Sequence, residues 1–143
     1  MEKRLKILHL EDTLSDAELV NRVLKKGNFD FERKLIDTRE QFIAALTDYN
    51  PDIILSDHSL PSFNSHEALS ILKEKGIKIP FILITANVSE EFAVDVIKKG
   101  ADDYILKDRL ERLPIAIENA LEKARLEVET QNYLFELIKN EKH

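Results

Sequence analysis

Polar residues able to do chemistry stand where short apolar runs end: Glu11 and Asp12 after Leu5–Leu10, Asp57 after Ile53–Ser56, Thr85 and then Ala86 after Phe81–Ile84, and Lys107 after Tyr104–Leu106. Each alone has an ordinary reading. Glu11-Asp12 would suit a solvated loop, Asp57 a turn before Pro61, Thr85 a turn cap and Lys107 an exposed charge. Their shared placement at run ends is the informative feature. Carboxylates brought together repel one another and shift upward in pKa. A hard divalent cation relieves this, and Mg²⁺ suits one or two carboxylates plus a phosphate oxygen. Such a set fits phosphoryl transfer, which needs mainly positioning and charge neutralisation. Asp57 is then the candidate nucleophile, forming an acyl phosphate. Lys107 supplies a second positive charge, and Thr85 with nearby backbone N–H groups would bond the phosphoryl oxygens.

These residues need a scaffold that gathers run ends on one rim. Short apolar runs alternate with amphipathic segments along the chain. Leu5–Leu10 reads as a buried strand, and Thr13–Lys26 as a helix with Val20, Val23 and Leu24 on one face and Gly27 as its stop. Phe31–Ile36 is a weaker strand. Thr38-Arg39-Glu40-Gln41 has capping-box spacing and opens a helix carrying Phe42, Ala45 and Leu46. Ile53–Ser56 is a strand, and Ser65–Lys75 a helix with Ala68, Leu69 and Leu72 inward and Gly76 after it. Phe81–Ile84 is a strand. Ser89 caps a helix with Phe92, Val96 and Ile97 inward, stopped by Gly100. Tyr104–Leu106 is the last strand, and the final helix begins near Arg109. This is an α/β, (βα)₅ doubly wound fold: a parallel five-stranded sheet in the flavodoxin-like order 2-1-3-4-5, with helices on both faces. Ligands of such sheets sit at the carboxyl ends of the strands.

The 143 residues suit one domain with a sizeable core. Without cysteine there is neither a disulfide framework nor a thiolate metal site. His9, His58, His66 and His143 lack zinc-ligand spacing and read as structural. No window has the length of a membrane span, and the apolar run after Met1-Glu2-Lys3-Arg4 is too short for a signal peptide. A net charge of −6 disfavours nonspecific binding to nucleic acid.

The motifs Ile7-Leu8-His9-Leu10-Glu11-Asp12, Ile53-Ile54-Leu55-Ser56-Asp57-His58-Ser59-Leu60-Pro61, Ile82-Leu83-Ile84-Thr85-Ala86 and Gly100-Ala101-Asp102-Asp103-Tyr104-Ile105-Leu106-Lys107 resemble the receiver domain of bacterial response regulators over roughly residues 4–124. The resemblance implies a cytoplasmic phospho-accepting module of a two-component phosphorelay. It implies no enzyme activity beyond Mg²⁺-dependent self-phosphorylation and autodephosphorylation. Asp57 would be the phosphoacceptor, taking its phosphoryl group from a histidine kinase or a histidine phosphotransfer protein. Asp12, Asp57 and the backbone carbonyl of Ser59 would bind Mg²⁺, with Glu11 acting through a metal-bound water. Thr85 and Lys107, with the backbone N–H groups of Ala86 and Ser59, would bind the phosphoryl group. Thr85 and Tyr104 would form the switch, acting on the face of the fourth helix, fifth strand and fifth helix. Ser59 and Asn87 stand where the family tunes acyl-phosphate lifetime.

Two departures stand out. Asp108 follows Lys107 where the family usually has proline, often cis, and a trans bond is expected because a cis bond without proline costs about 3–4 kcal/mol. Ser65 stands where glycine is common. Neither removes a chemical group. A phosphorylation-independent pseudo-receiver is the alternative, but such modules lose an acid or the lysine. A flavodoxin-like cofactor binder would need a phosphate loop where Glu11-Asp12 stands. A phosphatase of the haloacid dehalogenase type would need an acid, not Leu14, two residues after Asp12.

The domain division expected is a receiver over 1–124 and a helical extension over 125–143. From Leu113 to Ile138 there is no glycine and only Pro114 near the start of the helix, and Ile117, Leu121, Ala124, Val128, Gln131, Phe135 and Ile138 recur at spacings of four and three. The extension is expected to be a signalling helix, pairing in a homodimer or leading to a further domain as at the front of hybrid sensor kinases. The plainer expectations are a frayed end or a stretch folded back on its own domain. A homodimer through the switch face is the other pairing expected, and neither nucleic acid nor membrane is expected to bind this stretch.

Overall fold

The computed structural model describes residues 4–86 and 89–141. Five parallel strands, β1 (Leu5–Leu10), β2 (Phe31–Ile36), β3 (Ile53–Ser56), β4 (Phe81–Thr85) and β5 (Asp103–Leu106), form one sheet in the order β2-β1-β3-β4-β5. Helices α1 (Leu14–Lys26), α2 (Arg39–Asp48), α3 (Ser65–Lys75), α4 (Glu90–Lys98) and α5 (Leu113–Glu141) connect or follow them. This is the doubly wound order expected from the alternation of runs.

Side chains alternate across the sheet, and the alternation builds two cores. Leu8, Leu10, Ile54, Phe81 and Leu83 face α2, α3 and α4, where they meet Phe42, Leu69, Leu72 and Val96. Ile7, Ile53, Leu55, Ile82 and Ile105 face α1 and α5, where they meet Val20, Leu24, Leu113 and Ile117. β3 and β4 are buried along their whole length, hence their unbroken apolar sequences.

Local chemistry sets the element ends. The Thr38 side chain accepts from the Gln41 N–H while the Gln41 side chain accepts from the Thr38 N–H, completing the capping box. Asn64 and Ser89 cap α3 and α4 through their side chains. Gly76 takes φ +66°, the left-handed geometry that ends α3.

Three expectations are corrected. Ile97 is 41% exposed, because Ala93 and Val96 complete the inward face of the short α4. The chain does not enter its last helix near Arg109. A 3-10 segment spans Lys107–Arg112, broken at Arg109 (φ −133°, ψ 44°), and α5 starts at Leu113 with Pro114 in its first turn, where a missing N–H costs nothing. The last strand begins one residue earlier than expected, at Asp103. The described residues contain no cis peptide bond, so Lys107–Asp108 is trans.

α5 is continuous to Glu141 and does not fold back. It is buried at Leu113, Ala116, Ile117 and Ala120, and beyond Arg125 every described residue is exposed.

Candidate functional site

Strand register brings the rim residues together. Leu10 pairs with Ser56 across β1 and β3, and the Asp57 N–H donates to the Leu10 carbonyl at 2.9 Å, so Glu11 and Asp57 emerge side by side. Thr85 pairs with Leu106 across β4 and β5, placing Lys107 just past the same rim.

The Glu11, Asp12 and Asp57 carboxylates each offer an oxygen within 4.8 Å of the others, a cluster that could hold a metal ion. Glu11 is buried, Asp57 half-buried and Asp12 exposed, so the cluster opens to solvent on the Asp12 side. Hard oxygen donors with one open side fit Mg²⁺ and include no soft ligand of the kind that selects zinc or copper. Ser59 lies in a tight turn after β3: it bridges Asn64, the Leu60 N–H donates to the Phe63 carbonyl, and the Ser65 N–H donates to the His58 carbonyl. That turn forms with Ser65 in place of glycine.

Lys107 reaches across the rim. Its Nζ lies 2.9 Å from Glu11 Oε1, 3.3 Å from Asp57 Oδ2 and 2.7 Å from Asp16 Oδ2. Burial alone would lower its pKa. Hydrogen bonds to Asp16 and Glu11 and the charge of Asp57 outweigh burial and hold the ammonium well above the usual lysine range. Glu11 is pushed up, first by burial and then by Asp57, against the pull of Lys107. The His58 N–H donates to Asp57 Oδ1 at 2.8 Å, leaving Oδ2 toward Lys107.

Thr85 is buried at the end of β4, and Ala86 after it is exposed. Thr85 and Tyr104 lie on the same face of neighbouring strands, since Leu83 pairs with Tyr104 and Thr85 with Leu106. Tyr104 is half-buried against the core beneath α4. Asn87 lies outside the described residues.

Two features escaped the motif reading. Asp16 belongs to the first turn of α1, and only the path of the chain after β1 brings it to Lys107. The second is an aromatic cluster joining the loop after Asp57 to α4. His58 sits 4.5 Å from Phe92 and 5.3 Å from His66, centroid to centroid and edge-on to both. His58 Nδ1 lies 2.8 Å from Ser65 Oγ. His9 is buried on the α1 side, 3.4 Å from Arg33 Nη1, and its pKa is lowered to about 3 by burial and by the charges of Arg33 and Lys107.

Comparison with known proteins agrees with this fold. The family model of the response regulator receiver domain matches residues 7–118. The chain is 32% identical over 116 residues to the regulatory protein LuxO of Vibrio cholerae, a match covering 80% of this chain and 25% of LuxO. It is 32% identical over 104 residues to the DNA-binding response regulator MtrA of Mycobacterium leprae, covering 73% of this chain and 45% of MtrA. The chain thus spans about a quarter of the length of the LuxO proteins it matches. Among solved structures, the signal receiver domain of a LuxO repressor protein from Vibrio parahaemolyticus superimposes with a TM-score of 0.80 at 27% identity, covering 90% of this chain and 98% of that one.

Proposed function

This chain belongs to the response regulator receiver domain family, a signalling module of two-component systems, and from that premise we propose that Asp57 accepts a phosphoryl group. The observation that carries the proposal is Lys107 spanning Glu11 and Asp57 beside a carboxylate cluster. Asp12, Asp57 and the Ser59 carbonyl would hold Mg²⁺, with Glu11 acting through a metal-bound water. When bound, the metal neutralises charge between the Asp57 carboxylate and an incoming phosphoryl group. Asp57 Oδ2 is the attacking atom, because Oδ1 is engaged by the His58 N–H. Lys107 pairs with the transferred group. The Thr85 hydroxyl and the N–H groups of Ala86 and Ser59 donate to its oxygens.

The donor is a histidine kinase or histidine phosphotransfer protein. Leu14 and Ile115 are exposed at the start of α1 and the start of α5, beside the acidic rim, and offer an apolar rest for such a partner. Thr85 and Tyr104 switch the α4-β5-α5 face, because both lie on the α4 side of the sheet. The helical extension, described from Arg125 to Glu141, acts as a signalling helix, which pairs with a second copy or leads to a further domain of a regulator or hybrid kinase. The module works in the cytoplasm, and any DNA binding of the kind MtrA's name states belongs to sequence outside this stretch.

The test is intact mass after incubation with Mg²⁺ and a small phosphodonor. One added phosphoryl group is expected for the natural chain and none for Asp57→Asn, which keeps the shape and removes the nucleophilic charge. A full-stoichiometry adduct on Asp57→Asn would refute the assignment. An unmodified natural chain would favour the pseudo-receiver reading.

A further inference from the structure

At the end of the domain opposite the acidic rim lies a groove of about 490 Å³, between the C-terminal ends of α3 and α4 and the middle of α5. Its floor is apolar, with Leu72, Ile77, Ile79 and Pro80. Its walls carry Lys73, Lys78, Lys98, Lys99 and Lys123 against only Asp102 and Glu127. This is a positive, apolar-floored site in a chain of net charge −6. Nothing in the phosphoryl chemistry uses it.

The free end of α5 has the opposite character. Past the groove-lining Glu127, the helix to Glu141 carries Glu129, Glu136 and Glu141 against Lys139, with Lys142 next in sequence. Tyr133, Leu134, Phe135, Leu137 and Ile138 are all exposed. At 3.6 residues per turn these five cover more than half of the helix circumference. A seam between two helices covers a narrower stripe. The tip therefore needs more contact than one partner helix can give.

We propose that the α5 tip of a second copy docks against this groove, the two helices crossing antiparallel near Asn132. The inference rests on the proposal that the extension pairs in a homodimer, and specifies how. Asn132 lies nine residues from both Lys123 and Glu141, about 14 Å each way at 1.5 Å per residue. An antiparallel crossing there sets one copy's Glu136–Glu141 level with the other's Lys123–Glu127, at the groove mouth. The contact is reciprocal, so each groove receives one tip and the dimer closes with twofold symmetry. Part of the tip's apolar arc faces the partner helix and the remainder faces the groove floor. A parallel pair would instead bring Glu141 beside Glu141 and leave both grooves empty, about 9 to 22 Å along the helix from the apolar tips.

The chain has no cysteine, so single thiols report the geometry cleanly. Lys98→Cys and Glu141→Cys are made separately at exposed positions, mixed in equal amounts and oxidised mildly. A disulfide joining the two different variants is the expected product. Sedimentation should show Lys98→Glu with Lys99→Glu weakening the dimer at least tenfold, and truncation after Arg125 abolishing it. Cross-linking of Glu141→Cys only to itself would leave helix pairing standing and overturn the docking. A dimer that survives truncation would place the pairing on the α4-β5-α5 face and overturn it as well. A natural chain monomeric at high micromolar concentration, with and without Mg²⁺ and phosphodonor, would remove both the docking and the helix pairing on which it rests.

Discussion

Lys107 lies closer to Asp16, at 2.7 Å, than to Asp57, at 3.3 Å. The ammonium is thus anchored from the first turn of α1 and extended toward Asp57, the proposed phosphoacceptor. Asp16→Asn removes one charged anchor while leaving Lys107 in place. Phosphorylation by a small phosphodonor should slow about tenfold, equivalent to ~1.4 kcal/mol of barrier. Rapid-mixing kinetics with Mg²⁺ present would measure this, and a rate equal to that of the natural chain would show that Glu11 and Asp57 position Lys107 unaided.

Metal affinity should respond to pH through Glu11. Burial raises the Glu11 carboxyl pKa, so it takes up a proton at a higher pH than an exposed glutamate does. Metal sites prefer their acids ionised. Acidification should therefore weaken Mg²⁺ binding while ordinary carboxylates are still charged, and Glu11→Gln should shift that dependence to lower pH. Calorimetric titration at a series of pH values reads both curves; superimposable pH profiles for the two proteins would contradict the role.

His9 should stay neutral through mild acid. Its folded pKa, about 3, lies below the ordinary histidine value of 6.5. Between those values the unfolded chain binds a proton that the folded chain refuses, so stability falls as pH drops from about 6.5 toward 3. The contribution of this residue approaches 1.4 kcal/mol per pH unit. Imidazole resonances followed by NMR should show no His9 titration above pH 4, and a midpoint near 6.5 would disprove its burial beside Arg33.

Phosphorylation should alter hydrogen exchange over residues 89–115, since Thr85 and Tyr104 share the sheet face beneath α4. Phe92→Ala removes the ring that ties α4 to His58 in the loop after Asp57. That variant should still accept a phosphoryl group but show a smaller exchange response in α4. Equal protection with and without a phosphoryl mimic in the natural chain would remove the switch.

The parts of the fold legible in the sequence were those written in local chemistry. Ser65–Lys75 matches α3 residue for residue, because Asn64 caps it and Gly76 ends it. The rim residues were legible because each follows an apolar run. Ile97 was misjudged because a nine-residue helix needs few inward positions, and Ala93 with Val96 already fills them. The entry to α5 was placed near Arg109 because nothing local reveals the irregular backbone there. Asp16 and the cluster of His58, His66 and Phe92 are products of packing between distant segments, which periodicity does not record.

The unbroken length of α5 has a mechanical consequence. The helix is clamped to the sheet from Leu113 to Leu121, while its other end stands free. From Leu121 to Glu141 the free arm measures about 30 Å at 1.5 Å per residue. A tilt of about 4° at the clamp, small enough to come from one repacked side chain under α5, would carry the far end through about 2 Å. The helix is in this respect a lever with its fulcrum near Leu121, at the end of the domain opposite Lys107, and its stiffness turns a local adjustment under α5 into displacement far outside the domain.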